Sequence, residues 1–194
     1  MTRHANIFAV LFSIADKEKQ EKILTNVLEN EKIPAITTPY FNFFELDVLC
    51  QMGKLQEVLD KIRSYWGGML DLGAVTFWEE YDPSVPKEEQ YDMYGDHFGK
   101  SLCHAWAASP IYFLAKYFAG LDLVNKDGVT YVLKPQMQYF TDLDCILPVG
   151  SDGTVRLAWD GECLEVIADA EGGVLELGEE KISLVRGETR RVKI

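Results

Sequence analysis

Two short stretches carry most of the side chains that could do chemistry. In Gly73-Ala74-Val75-Thr76-Phe77-Trp78-Glu79-Glu80-Tyr81-Asp82 the carboxylates sit directly beside Phe77, Trp78 and Tyr81. Aromatic rings offer the CH faces of a sugar a flat apolar surface, and carboxylates accept hydrogen bonds from its hydroxyls. A carboxylate flanked by rings is also partly desolvated, which raises its pKa and suits proton transfer near neutral pH. The competing reading makes Glu79, Glu80 and Asp82 solvated loop acids and Trp78 a core anchor. The second stretch is Lys100-Ser101-Leu102-Cys103-His104-Ala105-Trp106. If Ser101 caps a helix, His104 falls in its first turn, where the helix dipole favours neutral imidazole. A neutral imidazole can donate to one hydroxyl and accept from another; it can equally be a structural histidine bonded to a loop carbonyl. Cys103 and His104, adjacent on such a helix, point about 100° apart and form no nucleophile pair. A third cluster, Thr38-Pro39-Tyr40-Phe41-Asn42-Phe43-Phe44, could line the mouth of a barrel or fill a core.

The elements that position these residues change character along the chain. Up to about Gly120 the apolar spacing is helical. Asn6 to Ala15 reads as a helix buried on most sides, and Asp16 as the cap of a second helix with Ile23, Leu24, Val27 and Leu28 in one stripe. Thr38-Pro39 starts a third that stops near Gly53. Leu55, Val58, Leu59, Ile62 and Trp66 repeat at helical spacing until Gly67-Gly68 breaks the pattern. Short loops between such helices imply stacked helical hairpins. From Asp71 to Lys100 no period survives; a segment this long inside a helical region is functional or disordered, and its aromatics argue for order. Ser101 is expected to cap a further helix reaching Gly120, kinked at Pro110. Beyond Gly128 the period drops to two: strands around Tyr131, Leu157, Val166, Leu175, Ile182 and Val192, separated by tight-turn pairs such as Asp127-Gly128, read as a small antiparallel sandwich. The boundary is placed at 125/126, giving units 1–125 and 126–194.

Composition narrows the function. With 19 Lys and Arg against 31 Asp and Glu, the net charge of −12 and the lack of a basic stripe argue against nucleic acid. The 47% hydrophobic content excludes a disordered chain, and no apolar run reaches the roughly 18 residues a membrane helix needs. Met1-Thr2-Arg3-His4 leads into the first helix without a signal-peptide core. Cys50, Cys103, Cys145 and Cys163 lack metal-ligand spacing and read as ordinary buried thiols. No phosphate-cradling loop, HExxH or GxSxG is present, so no metal or cofactor is expected.

Four segments, Arg3-His4-Ala5-Asn6, Thr38-Pro39-Tyr40-Phe41, Gly73-Ala74-Val75-Thr76-Phe77-Trp78-Glu79 and Lys100-Ser101-Leu102-Cys103-His104-Ala105-Trp106, resemble in order and spacing those of bacterial α-L-rhamnosidases of glycoside hydrolase family 78. Val75 stands where the family usually has Thr. The resemblance implies an α + β chain in two parts: helical hairpins from an incomplete (α/α)6 barrel, then a β-sandwich. It implies an inverting mechanism with Glu79 as general base, His104 hydrogen-bonding the rhamnose, and Trp78, Trp106 and Tyr40 as walls of the sugar subsite. The substrate class would be a rhamnose-containing glycoside or oligosaccharide. The family's general acid lies in an Asp- and Arg-rich loop of the barrel's first half, which this sequence lacks. The chain is therefore expected to be the last part of such an enzyme, with little or no activity alone. The alternative is a non-catalytic module that binds carbohydrate or a partner. An opened barrel would expose apolar helix flanks, covered by a missing N-terminal half or by a dimer. Size-exclusion chromatography should accordingly give either a dimer or a monomer that binds hydrophobic dye strongly; a monomer with little dye binding would count against the open barrel.

Overall fold

The computed structural model describes residues 2–194, which divide into two compact units, 2–110 and 111–194. The first strand already opens at Leu121, ahead of the boundary read from the change of period.

In the first unit, α1 spans Arg3–Leu11, α2 Lys17–Ile23, α3 Pro39–Gln51, α4 Leu55–Lys61 and α5 Gly67–Asp71. Asp16 caps α2 as expected, its Oδ1 accepting the Lys19 N–H at 3.0 Å. Pro39 is the first residue of α3, where its missing N–H costs nothing; Thr38 makes no side-chain cap. The first helix is shorter and less buried than its apolar run suggests. It buries Arg3, Ile7 and Val10, and the chain turns at Ser13 (φ 55°), leaving Phe12 and Ile14 exposed. Gly67-Gly68 does not end the fourth helical segment. A π-helical turn, Ile62–Trp66, joins α4 to α5 without a break. The small residue serves packing instead: a Cβ on Gly68 would lie 2.4 Å from the Tyr81 hydroxyl oxygen, so the helix keeps a bare spot where the following loop docks.

α1 contacts α3, and α3 contacts α4. All three helices meet at one buried carboxylate. Glu45 of α3 is 2% exposed; its Oε2 takes Arg3 Nη1 of α1 at 3.2 Å and its Oε1 takes Lys61 Nζ of α4. Arg3 also donates to the carbonyls of Leu28 (2.8 Å) and Pro34 (3.2 Å), so its charge is shared with the connection between α2 and α3.

The expected helix from Ser101 to Gly120 is absent over its first half. Residues 101–104 are irregular, with a bend at 102–103, Ala105–Ala107 form a 3-10 turn, and the helix proper, α6, is Ser109–Phe113, followed by a π-helical turn, Leu114–Phe118. Pro110 is the second residue of α6 and causes no kink, because first-turn N–H groups have no intrahelical partner.

The second unit holds β1 (Leu121–Lys126), β2 (Val129–Leu133), β3 (Leu143–Val149), β4 (Gly153–Trp159), β5 (Cys163–Asp169), β6 (Gly173–Leu177), β7 (Glu180–Leu184) and β8 (Thr189–Lys193). They form two four-stranded sheets, ordered β1-β2-β6-β7 and β3-β4-β5-β8. Inward residues of both sheets, among them Tyr131, Leu133, Val155, Leu157, Leu164, Val166 and Leu175, share one core. All pairings are antiparallel except β2 with β6, which is parallel, a correction to the expected antiparallel sandwich. β1 and β3 are the strands that the sequence pattern does not mark: β1 is largely solvated and does not alternate, whereas β3 alternates in burial but carries the exposed Ile146 at an outward position and Pro148, tolerated where a strand has a free side. Of the cysteines, all free, only Cys50 is buried and Cys103 is exposed.

Removing one partner of a buried ion pair leaves the other charge uncompensated. Glu45→Ala should therefore lower stability by about 3 kcal/mol, seen as a fall in the urea midpoint at unchanged slope. Glu18→Ala, which breaks the exposed pair with Lys22, should change it by no more than about 0.5 kcal/mol.

Candidate functional site

The site is built where two segments of the first unit run past each other. The Glu79 N–H donates to the Ser101 carbonyl at 2.9 Å, and the His104 N–H donates to the Phe77 carbonyl at 2.8 Å. The Thr76 hydroxyl adds a bond to the Leu102 carbonyl. These bonds bring together residues that the sequence separates by the whole aperiodic loop.

That loop is ordered by named contacts. Tyr65 of the π turn is central: its hydroxyl donates to the Thr37 carbonyl and accepts the Tyr81 N–H at 3.1 Å, and burial pushes its phenol well above the ordinary value. Gln90, 2% exposed, donates through Nε2 to the carbonyls of Asp82 (2.6 Å) and Val85 (2.8 Å). Glu80 accepts the Thr37 hydroxyl at 2.8 Å, and Asp82 caps its own turn by accepting from Ser84 N–H (2.9 Å) and Oγ (2.7 Å). Both acids are thus committed to holding the loop.

Glu79 differs from them. It is 7% exposed, so it is not a solvated loop acid. Its Oε2 accepts the Ser101 N–H at 3.1 Å and lies 3.9 Å from Nδ1 of His104; its Oε1 accepts the Tyr94 hydroxyl at 3.2 Å. The carboxylate stabilises Tyr94's protonated form, through that hydrogen bond and its charge, and raises the phenol's pKa. Lys100, buried behind the same segment, has its ammonium pKa lowered by desolvation, opposed by the charges of Glu80, Asp82, Asp92 and Glu79.

His104 is extended (φ −126°, ψ 109°) and lies ahead of the 3-10 turn, so the dipole argument for its neutrality does not apply. Its ring packs on Trp106 at 4.2 Å between centroids, and Trp106 on Tyr40 at 5.4 Å, with interplanar angles of 33° and 32°. Tyr40 stands in the first turn of α3. Glu79, His104, Trp106 and Tyr40 therefore form one continuous row. Trp106 and Tyr40 are 43% and 44% exposed and offer open ring area. Trp78 does not. It is 3% exposed and packs edge-on to Tyr91 at 5.6 Å, since alternate side chains of an extended segment face opposite ways. Its placement is that of an anchor beneath the loop, where no ligand face is available.

Tyr94 is the site residue that sequence reading passed over. Met93 and Asp96 exchange two hydrogen bonds of 2.9 Å, and the two residues between them, Tyr94 (φ 55°) and Gly95 (φ 82°), are both left-handed. This is a type I′ turn, whose sequence signal here is only a lone Gly after Tyr. Chemically, the row combines a largely buried carboxylate, an imidazole beside it and two aromatic faces: the parts needed to hold a sugar ring and take a proton from a nucleophile next to it.

No protein-family model matches the sequence, and no curated protein matches it. Among solved structures the fold is similar to that of a GH78 family rhamnosidase of Bacillus sp. GL1, at a TM-score of 0.71 and 22% sequence identity. The match covers 92% of this chain and 19% of that one, so the chain spans about a fifth of the length of the enzyme it resembles in fold.

Proposed function

We propose that this chain is the part of an inverting α-L-rhamnosidase-like glycoside hydrolase that carries the general base and part of the sugar subsite. The observation that carries the reading is the row Glu79–His104–Trp106–Tyr40, assembled from two loop segments and a helix start. The fold likeness to a family 78 rhamnosidase supports it.

In this reading Glu79 deprotonates the water that attacks the anomeric carbon. Its two oxygens each accept one hydrogen bond, Oε2 from the Ser101 N–H and Oε1 from the Tyr94 hydroxyl, which orients the carboxylate and leaves a further acceptor site for the proton. His104 donates to or accepts from a ring hydroxyl, and Trp106 and Tyr40 take the apolar edge of the deoxysugar. Inversion requires a second carboxyl group, the general acid, roughly 6.5–9.5 Å away across the sugar. That group is supplied from outside this stretch of chain, within the remainder of an (α/α)6 barrel. Trp78 keeps the loop in place without touching the sugar.

A second reading, a carbohydrate-binding module without turnover, is favoured by the open faces of Trp106 and Tyr40. Hydrolysis of 4-nitrophenyl α-L-rhamnoside at high protein concentration separates the two, because that leaving group needs little acid assistance. Slow turnover is expected, falling by about 100-fold or more in Glu79→Gln. Turnover equal in Glu79→Gln would remove Glu79 from the reaction. Rhamnose binding lost in Trp106→Ala, with no turnover in either chain, would establish the binding module.

A further inference from the structure

The turn at Met93–Asp96 carries an aromatic residue where its backbone favours Asn or Gly. Tyr94 sits in the left-handed region at φ 55°, a conformation that a side chain with a Cβ adopts only against steric resistance. Packing does not explain it: the residue is 83% exposed. Its one described polar contact is the hydroxyl's bond to Glu79 Oε1. Strained residues that the core does not need concentrate at functional sites.

The turn itself is held firmly. Gly99 lies against its base, where a Cβ would stand 2.2 Å from the Met93 carbonyl oxygen, and the Lys100 N–H donates to the Tyr91 carbonyl at 3.1 Å. Tyr94 therefore projects from a braced platform. Ser101 N–H fixes one carboxylate oxygen from one side, and Tyr94 reaches the other oxygen from a second segment. Two donors on two oxygens define both the direction and the plane of a carboxylate.

We propose that Tyr94 is a positioning residue for Glu79, its hydroxyl holding Oε1 in the orientation in which the carboxylate works. The functional meaning rests on Glu79 being the base; the coupling of the two side chains does not. The other titratable groups that face this pair are His104, 3.9 Å from Glu79 Oε2, Lys100, whose ammonium feels the Glu79 charge, and Glu80, whose charge reaches Tyr94.

The test uses the whole chain and needs no turnover. With 13C-labelled glutamate, and Glu79→Gln to assign the signal, the Glu79 carboxyl resonance is compared at pH 7 in the parent and in Tyr94→Phe. Loss of the donor on Oε1 should move that resonance while the other glutamate signals stay in place. In the reverse direction, the Tyr94 phenol, followed at 295 nm by difference from Tyr94→Phe, should titrate above the ordinary value near 10. It should fall back toward that value in Glu79→Gln. Tyr94→Gly, which relieves the left-handed strain, should melt at the parent temperature or about 2–4 °C higher while shifting Glu79 as Tyr94→Phe does. A residue kept for structure would do the opposite and melt lower. An unmoved Glu79 carboxyl resonance in Tyr94→Phe, or a Tyr94→Gly chain melting several degrees below the parent, would overturn the proposal. If instead these measurements behave as expected while Glu79→Gln leaves rhamnoside hydrolysis intact, the coupling stands and the assignment of Glu79 as base fails.

Discussion

A buried carboxylate is the constraint on which the helical unit turns. Glu45 cannot be placed in the interior without partners, because an isolated ionised group there costs several kcal/mol. The fold answers with cations from two other helices, Arg3 from α1 and Lys61 from α4, and lets Arg3 bond two loop carbonyls as well. Any displacement of α1 or α4 along α3 would leave a charge unpaired. Apolar contact alone would tolerate sliding of one helix against another; this network does not. It therefore fixes the start of α3, and with it Tyr40, relative to the neighbouring helices.

The site itself depends on a different device. A long stretch without regular structure is held by backbone hydrogen bonds to distant segments, Glu79 to Ser101 and His104 to Phe77, and by buried side chains such as Gln90 and Tyr65 that bond main-chain groups. Because these anchors are mostly backbone groups, they place Glu79 and His104 along the chain, and the Glu79 carboxylate is then oriented by single donors, the Ser101 N–H on Oε2 and the Tyr94 hydroxyl on Oε1. Glu80 and Asp82 hold the loop instead, accepting from Thr37 and Ser84.

The sequence made the helix starts legible where a local rule applied. Asp16 and Pro39 mark α2 and α3 through groups within a turn of themselves. It misled where a long-range contact overrode the local rule. Gly67-Gly68 reads as a stop, yet the helix continues because Tyr81 needs the space. Ser101 reads as a cap, yet its carbonyl and the His104 N–H are taken by Glu79 and Phe77 of the distant loop, and the segment stays irregular. In the second unit alternation revealed the strands that face the shared core on one side. β1 and β3 stayed hidden for separate reasons: the burial of β1 does not alternate, and in β3 the exposed Ile146 and Pro148 blur the apolar-polar period. At the site, the residue types around Glu79 and His104 suggested sugar chemistry, whereas Trp106 and Tyr40 entered only through the family resemblance. Which aromatic lies open and which lies beneath the loop was unreadable, because it depends on the direction of each side chain off an extended backbone.

The parallel pairing of β2 with β6 also bears on how the second unit comes to exist. β3, β4 and β5 are joined in sequence as antiparallel neighbours, so their ladders close short loops at small entropic cost. β2 has no such neighbour on its inner side; it must wait for β6, which arrives only after the whole meander between them has been laid down. Each sheet thus needs a late strand for its completion, β6 for the sheet that contains β1 and β2, and β8 for the other. During synthesis, β2 emerges early with an unpaired edge and stays unsatisfied until β6 has left the ribosome.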